Sequence, residues 1–213
     1  RETIKAVATA EGRYVKQSGG SGYYGVVVMR FEPLADKNYE FAEEVFGGAV
    51  PRNYFPAVDK GLQETLEHGV LAGFPVIGVK GILTDGKYHP VDSNELAFKM
   101  AASIAFKEAC KTAKPSILEP IHRIEVTIKD EYLGDVLGDV NKRRGRVLGM
   151  EPAELGYQKV VAEVPEAEIV KYTIDLKAMT QGSGTFSREF VRYEEVPGNL
   201  IPKIIEEQKQ KAN

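Results

Sequence analysis

The sequence predicts an α+β protein of two domains. A chain of 213 residues can form one large or two modest domains, each with its own buried core. Strand patterns dominate residues 1–50, and helical patterns follow them. From Ile117 the predicted elements follow the order β-α-β-β-α-β, which is the split βαβ, ferredoxin-like arrangement. Pro115 and Pro120 mark the expected boundary between the domains.

Changes in hydrophobic period define the elements of the first domain. Strands are predicted over residues 3–15, 24–31, 39–46 and 76–83, with turns at "EPLADKN" and "TDGKYHP". A helix is predicted between Pro51 and Gly69, because Val58, Leu62 and Leu66 share one face.

A second helix of this domain is predicted to begin after Asp92. Asp92 is a favourable N-cap with Glu95 three residues later, and helix-forming residues continue to Pro115. Along this helix a polar residue recurs every fourth position, at Lys99, Ser103, Lys107 and Lys111. The stripe is either a solvated face or a ridge that faces phosphates.

The second domain has its own set of predicted elements. Strands are predicted over residues 121–128, 146–150, 160–164 and 185–193, and helices over 131–144 and 167–179. Gly145 is expected to cap the first of these helices at its C-terminus. One more short helix is predicted after Pro197.

Composition restricts the possible functions. The net charge of −3 excludes a polycation that binds nucleic acid through bulk charge, so phosphate contacts must come from a local patch. No apolar run approaches the roughly 18 to 20 residues of a membrane helix, and the N-terminus does not resemble a signal peptide, which favours a cytoplasmic location. The single cysteine, Cys110, excludes an internal disulfide and is expected to be a small buried group. Three isolated histidines predict no metal site.

A glycine-rich stretch, Gly20-Ser21-Gly22-Tyr23-Tyr24-Gly25, matches two phosphate-binding patterns. The dinucleotide pattern requires a helix after its last glycine, but the following "VVVM" is typical of a strand. The lysine strand, H-R-D loop and D-F-G site of kinases do not occur, and neither does a Walker A motif. A hairpin with a bulge, or a projecting loop that a large partner approaches closely, remains. No Ser-His-Asp or Cys-His group is present, so no catalytic residue is predicted.

The one dense basic patch lies at the end of the helix predicted over 131–144. Its members are Lys142, Arg143, Arg144 and Arg146. Basic residues at a helix C-terminus complement the macrodipole, and arginines also suit RNA phosphates because the guanidinium binds two oxygens. The residue types fit both interpretations.

Five stretches of the sequence closely resemble the C-terminal part of bacterial elongation factor G and its paralogues. They are "QSGGSGYYG", "AVDKGLQETLEHGVLAGFPV", "GKYHPVDSNELAFKMAASIAFKEA", "ILEPIHRIEV" and "LGDVLGDVNKRRGRVLGMEP". The resemblance implies that residues 1–116 are the fourth domain of that factor, an S5-like fold with a left-handed βαβ crossover against the usual right-handed rule. Residues 117–195 would be its ferredoxin-like fifth domain, and a helix over 197–213 would pack back on the fourth.

The same resemblance implies a ribosome-binding function. The tip of the first domain would enter the decoding centre and support GTP-dependent movement of tRNA and mRNA, through Gln17, Ser18, Gly19, Gly20, Ser21, Gly22, His89 and Asp92. The basic patch of Lys142, Arg143, Arg144 and Arg146 would contact ribosomal RNA. No cofactor is implied for these two domains. GTP and Mg²⁺ would be bound by an N-terminal domain of the full-length factor, which is expected to be a cytoplasmic monomer with no membrane partner.

The sequence departs from the family pattern at the tip, which usually reads approximately QSGGRGQYGH. Ser21 replaces arginine, Tyr23 replaces glutamine and Val26 replaces histidine, and Ser183 also stands where arginine is usual. These departures favour a paralogue, and a specialised role such as ribosome recycling is one alternative. A stand-alone ferredoxin-like RNA-binding protein is another, although the RNP1 aromatic signature is absent. A nucleotide-using enzyme would rest on the glycine pattern alone.

Overall fold

The computed structural model describes residues 1–213 and divides into two compact units. The first unit comprises Arg1–Ile117 with Val196–Asn213, and the second comprises Leu118–Glu195. Each unit combines a sheet with helices, so the predicted α+β class with two domains is confirmed. The predicted ranges, 1–116 and 117–195, place the first boundary one residue earlier than the structure does.

A four-stranded sheet forms the framework of the first unit. Its strands are β2 (Ala8–Lys16), β3 (Tyr23–Pro33), β4 (Tyr39–Glu43) and β5 (Val79–Lys87), in the order β2-β3-β5-β4. The pair β4 and β5 is parallel, and the other neighbours are antiparallel. A short strand, β1 (Glu2–Ile4), pairs with the first residues of β6 (Pro115–Lys129).

Three helices belong to the first unit. They are α1 (Phe55–Thr65), α2 (Glu95–Ala109) and α5 (Ile201–Lys211). The helix α1 lies between the parallel strands β4 and β5 in the chain and so completes a βαβ unit, while α2 packs on β2, β3 and α1. The handedness of this crossover stays a prediction. None of the helices has the combined length and apolar character needed to span a bilayer.

Small residues allow α2 to lie directly on the β2–β3 hairpin. A Cβ atom added at Gly25 would lie 2.8 Å from the backbone of Ala97, and one added at Gly12 would overlap the carbonyl oxygen of Ala101. The buried face of α2 is itself made mostly of alanines, with Phe98 and Phe106 as its large members. This close contact places the N-terminal end of α2 beside the hairpin.

A buried carboxylate organises the loop after α1. Glu2 is 1% exposed, and its two side-chain oxygens accept hydrogen bonds from the backbone N–H groups of Leu71, Ala72 and Phe74 at 2.9, 3.0 and 2.9 Å. Three donors satisfy a charge that would otherwise be costly to bury. Nearby, Cys110 is buried as predicted, and burial raises the pKa of its thiol to about 11.

The second unit has the predicted ferredoxin-like order. Its elements are β6, α3 (Leu133–Lys142), β7 (Arg146–Pro152), β8 (Tyr157–Pro165), α4 (Tyr172–Met179) and β9 (Thr185–Glu195). The strands are antiparallel, in the order β9-β6-β8-β7. Its core is built from alternate residues of β6 and β8 packed with Val136, Val140, Tyr172 and Leu176.

Three local predictions for the first unit are wrong. The segment "TDGK" does not turn, because residues 84–87 continue β5. Thr84 forms a bulge opposite Val28 and Met29, and residues 85–87 pair with β3. The strand predicted over 3–15 is broken after Ile4 into β1 and β2. The N-cap of α2 is Asn94, whose Oδ1 accepts from the N–H of Ala97 at 2.9 Å. Asp92 lies outside the helix, in the preceding loop.

The C-terminus of α3 also differs from the prediction. Arg143 is the C-cap, and Arg144, rather than Gly145, has the left-handed backbone conformation, with φ of 55°. Gly145 donates its N–H to the oxygen of Val140 at 2.9 Å, and a Cβ atom there would lie 2.8 Å from the same oxygen. The glycine is therefore required by close approach rather than by a positive φ.

Candidate nucleic-acid interface

Two loops of the first unit meet at one end of its sheet. Residues 17–22 connect β2 to β3, and residues 88–94 connect β5 to α2. Asp92 joins them, because its Oδ2 accepts from Nε2 of Gln17 at 2.8 Å and its Oδ1 accepts from the N–H of Gly22 at 3.3 Å. The residue predicted as a helix cap thus links the two predicted tip loops.

Backbone contacts extend this link toward His89. The N–H of Tyr24 donates to the oxygen of Asp92 at 2.9 Å. The hydroxyl of Ser93 donates to the oxygen of Tyr24 at 2.8 Å and accepts from the N–H of His89 at 2.8 Å. This chain of hydrogen bonds holds the loop of residues 88–94 against the start of β3.

The hydrogen bonds of His89 show which of its ring nitrogens is available to a partner. Its Nδ1 accepts from the N–H groups of Val91 and Asp92 at 3.2 and 3.1 Å, while the nearest oxygen of the Asp92 carboxylate is 3.6 Å away. An acceptor nitrogen carries no proton, so the neutral imidazole has its proton on Nε2. Since the side chain is 40% exposed, it can offer this N–H to a phosphate or ribose oxygen.

The glycines of the first loop have two different roles. Gly19 has φ of 44° with no atom near the position of a Cβ, and Gly20 is equally open. Ser18 and Ser21 beside them are exposed. In contrast, Gly22 is buried, and a Cβ atom there would lie 2.8 Å from the Asp92 carboxylate carbon. The backbone of residues 18–21 is therefore open to a partner, whereas Gly22 is held against Asp92.

The polar stripe of α2 borders a groove of about 290 Å³ between α1 and α2. Lys99, Ser103 and Lys107 line this groove, and Glu64 of α1 forms an ion pair with Lys99 at 3.0 Å. The lysines thus border a groove that also carries an acidic residue.

The predicted basic patch is mostly occupied by contacts within the second unit. Arg143 binds Asp139 at 2.7 Å and Asp175 at 2.6 Å, and its Cζ lies 4.8 Å from the ring centre of Tyr172. Burial opposes its charge, but the hydrogen bonds to these two carboxylates raise the pKa of the guanidinium. Arg143 therefore holds α3 and α4 together.

The other three members of the patch differ in availability. Arg144 makes a bidentate contact with Glu119 at 2.8 and 2.9 Å and a further contact with Glu168 at 3.2 Å. The side chain of Arg146 is 70% exposed and contacts Glu163 at 2.8 Å. Lys142 is exposed and has no ion-pair partner. Lys142 and Arg146 are consequently the cations of this segment best placed to meet a phosphate.

Sequence reasoning missed the side chains that flank the tip loops. Cross-strand pairing places Lys16 directly opposite Tyr23, and the ring of Tyr14 lies 6.1 Å from that of Tyr23. Arg13 lies near Tyr24 on the other face of the hairpin. The alternation of tyrosines and cations in "RYVK" was a usable signal, but only the register of the hairpin shows which residues meet.

Comparisons with known families agree with this architecture. The family model for elongation factor G, domain IV, matches residues 1–114, and the model for the elongation factor G C-terminus matches residues 116–204. Both models describe domains of a translation factor. The chain belongs to the elongation factor G family, as its sequence motifs predicted.

A solved structure is similar in both sequence and fold. It is the crystal structure of a protein from Thermus thermophilus, with 47% identity and a TM-score of 0.89. The match covers 99% of this chain and 31% of the Thermus chain. The present chain thus spans less than a third of the length of that relative.

Proposed function

We propose that this chain is the ribosome-binding part of a factor that moves tRNA and mRNA through the ribosome at the expense of GTP. The loops at residues 17–22 and 88–94 would enter the decoding region and hold the tRNA–mRNA duplex in its new position. GTP and Mg²⁺ would be bound by another part of the full-length protein, because this chain contains no Walker A motif. The factor would act as a cytoplasmic monomer.

The joining of the two loops through Asp92 is the observation that carries this proposal. A tip that must displace or hold RNA has to keep its shape under load, and the hydrogen bonds that Asp92 and Ser93 make with Gln17, Gly22 and Tyr24 provide that stiffness. The exposed groups at this end include hydroxyls, glycine backbone and the Nε2–H of His89. Such groups contact ribose and phosphate without reading sequence, which suits a factor that meets every codon.

The second unit would contact ribosomal RNA through the exposed cations near the end of α3. Lys142, which has no ion-pair partner, and Arg146, whose side chain is 70% exposed, are the candidates, whereas Arg143 and Arg144 are each held by two carboxylates. We expect Lys142→Ala to reduce the salt dependence of ribosome binding by about one phosphate contact. An Arg143→Ala variant would instead lower stability.

Binding of the chain to ribosomes tests the general proposal. The 213-residue chain should sediment with ribosomes at low salt, dissociate as salt rises, and compete with the intact factor. Absence of any ribosome binding at low salt would count against the proposal for both units.

Activity of the intact factor tests the tip. We expect His89→Ala to slow translocation about 2- to 10-fold, the equivalent of one net hydrogen bond, and Asp92→Ala to slow it further because both loops lose their link. His68→Ala is a matched control, since His68 lies on the groove between α1 and α2. Unchanged translocation in both tip variants would refute the assignment. If only ribosome splitting were slowed, the recycling alternative would replace translocation.

A further inference from the structure

Four of the ten tyrosines of this chain lie at the loop end of the first unit. They are Tyr14, Tyr23, Tyr24 and Tyr88. Three of them come from the β2–β3 hairpin, where cations alternate with them in sequence. Neither the fold nor the proposed hydrogen-bonding role of the tip loops requires so many rings at one end.

The hairpin register divides these residues between two faces. Lys16 pairs with Tyr23, and Tyr14 pairs with Gly25, so Tyr14, Lys16 and Tyr23 project from the face on which α2 packs. We name these three residues the Tyr23 platform. Arg13 and Tyr24 project from the opposite face, where Tyr24 lies 5.9 Å from the ring of His89.

The core of the first unit supports the Tyr23 platform through Tyr14. Tyr14 is half-buried and packs against the core of the first unit. Its ring meets that of Tyr23 at an interplanar angle of 70°, and Nζ of Lys16 lies 5.0 Å from the centre of the Tyr14 ring. An edge contact positions Tyr23 without stacking on it, and Tyr23 contacts no other ring.

Two cations of the β2–β3 hairpin, one on each face, are available to an anion. Arg13 and Lys16 are exposed and form no ion pair, whereas the arginines of the second unit at positions 143, 144, 146 and 192 all bind carboxylates. The only carboxylate that contacts the first loop is that of Asp92, which already binds Gln17 and Gly22. Unpaired cations beside aromatic rings are the arrangement that binds single-stranded nucleic acid.

We propose that the Tyr23 platform stacks on an unpaired base of single-stranded RNA while Lys16 meets a neighbouring phosphate. The inference rests on the proposed function and adds a binding mode to it. Duplex RNA presents phosphates to Lys16 but keeps its bases stacked on each other, so the platform favours unpaired RNA over duplex. Stacking is tolerant of sequence because every base has a π-face.

Fluorescence offers a direct test, because the chain contains no tryptophan. In Tyr23→Trp the single indole should be quenched on titration with a single-stranded RNA decamer, and much less by the same length of duplex. Tyr157→Trp, in the second unit, serves as the control and should not be quenched. Equal quenching of both indoles, or no quenching in Tyr23→Trp, would overturn the proposal.

Affinity measurements separate stacking from charge. We expect Tyr23→Ala to weaken binding of the single-stranded RNA about 5- to 150-fold without altering the salt dependence, and Tyr23→Phe to retain wild-type affinity. Lys16→Ala should instead reduce the slope of log affinity against log salt by about 0.7, the value for one phosphate on a single strand. A Tyr23→Ala variant with wild-type affinity would refute stacking.

The two proposals can fail separately. If the chain sediments with ribosomes but Tyr23→Ala and Tyr23→Phe bind RNA equally, the platform is wrong and the proposed function stands. If Tyr23→Trp is quenched by single-stranded RNA but the chain binds no ribosomes, the platform is correct and the proposed function is wrong. A platform occupied by a protein would bind no RNA in either assay, which would also refute stacking.

Discussion

Glu163 lies on β8 between two arginines of the second unit. Its side chain is 10% exposed; one oxygen contacts Arg146 at 2.8 Å, and the other contacts Arg192. Hydrogen bonds from Arg192 and then Arg146 lower the pKa of this carboxyl below its ordinary value of 4.5. Because the folded state holds the charged form, the contribution to stability is present above the unfolded pKa and is lost as the pH falls through the lowered folded pKa.

We therefore expect Glu163→Gln to be about 1–2 kcal/mol less stable than the wild type at pH 7, since both arginines are partly solvated. The difference should shrink as the pH falls below about 4.5, where the unfolded chain binds a proton that the folded protein does not yet bind, and it should disappear below the lowered pKa of the folded state. Urea unfolding at pH 7 and at lower pH measures it. Glu151→Gln, at an exposed site on β7, is the control and should stay within about 0.5 kcal/mol at each pH. A difference independent of pH would contradict this account.

Single residues also show where sequence reasoning reaches its limit. The residue types at positions 142–146 predicted a basic patch, but they do not show that Asp139 and Asp175 contact Arg143. Asp139 is one helical turn away and could have been anticipated, whereas Asp175 comes from another helix. Likewise, Asp92 had the residue type of an N-cap, and only the position of Gln17 and Gly22 explains its actual contacts.

At the scale of elements, the packing of α2 on the β2–β3 hairpin determines where the tip lies. The helix begins at Glu95 directly after the loop that holds His89, and Gly25 lies directly after Tyr24 in β3. Close approach at Gly25 therefore fixes the distance between the two tip loops. The backbone of Gly25 does not have a positive φ, so an alanine would be opposed only by contact with α2.

We predict that Gly25→Ala lowers the free energy of unfolding by about 1–3 kcal/mol, because its Cβ would press on the backbone of Ala97 rather than on a flexible side chain. Gly20→Ala is the matched control, since the nearest atom to its Cβ would be 3.9 Å away, and it should change stability by less than about 0.5 kcal/mol. Chemical denaturation of both variants provides the measurement. Equal stability of the two would show that α2 is not held by this contact.

Most helices and strands were predictable because their patterns are local. The β-branched and aromatic residues of β3, the alternation in β6 and the helix-forming run of α2 were sufficient to place these elements. The errors occurred where a partner strand or loop decides the outcome. Residues 84–87 contain Asp85 and Gly86, which are typical of a turn, but pairing with β3 keeps them extended.

At the scale of the whole molecule, the chain forms two separate hydrophobic cores. The core of the second unit draws all its members from residues 124–176, apart from Met179 and Phe186, which are partly buried at its edge. The second unit is also a continuous segment, Leu118–Glu195, while the first is built from two segments of the chain. Folding of the second unit should therefore not depend on the core of the first.

We expect a fragment of residues 118–195 to unfold cooperatively by itself, because the buried residues that stabilise it all lie within the fragment. Ile124→Ala, at a fully buried position of β6, should cost about 2–5 kcal/mol and abolish the cooperative transition. Thermal unfolding followed by circular dichroism would measure both. A fragment without a cooperative transition would show that the second unit needs residues outside 118–195 to fold.

The sequence by itself determined the two-domain α+β class, the ferredoxin-like order of the second domain and membership of the elongation factor G family. These follow from local periodicity and from motifs that lie contiguously in the chain, such as "QSGGSGYYG". Only the tertiary structure decided that Asp92 joins the tip loops, that Arg143 belongs to the interior of the second unit, and that Tyr14, Lys16 and Tyr23 share one face. Each of these depends on strand register or on contact between residues far apart in sequence, and residue types alone do not specify such contacts.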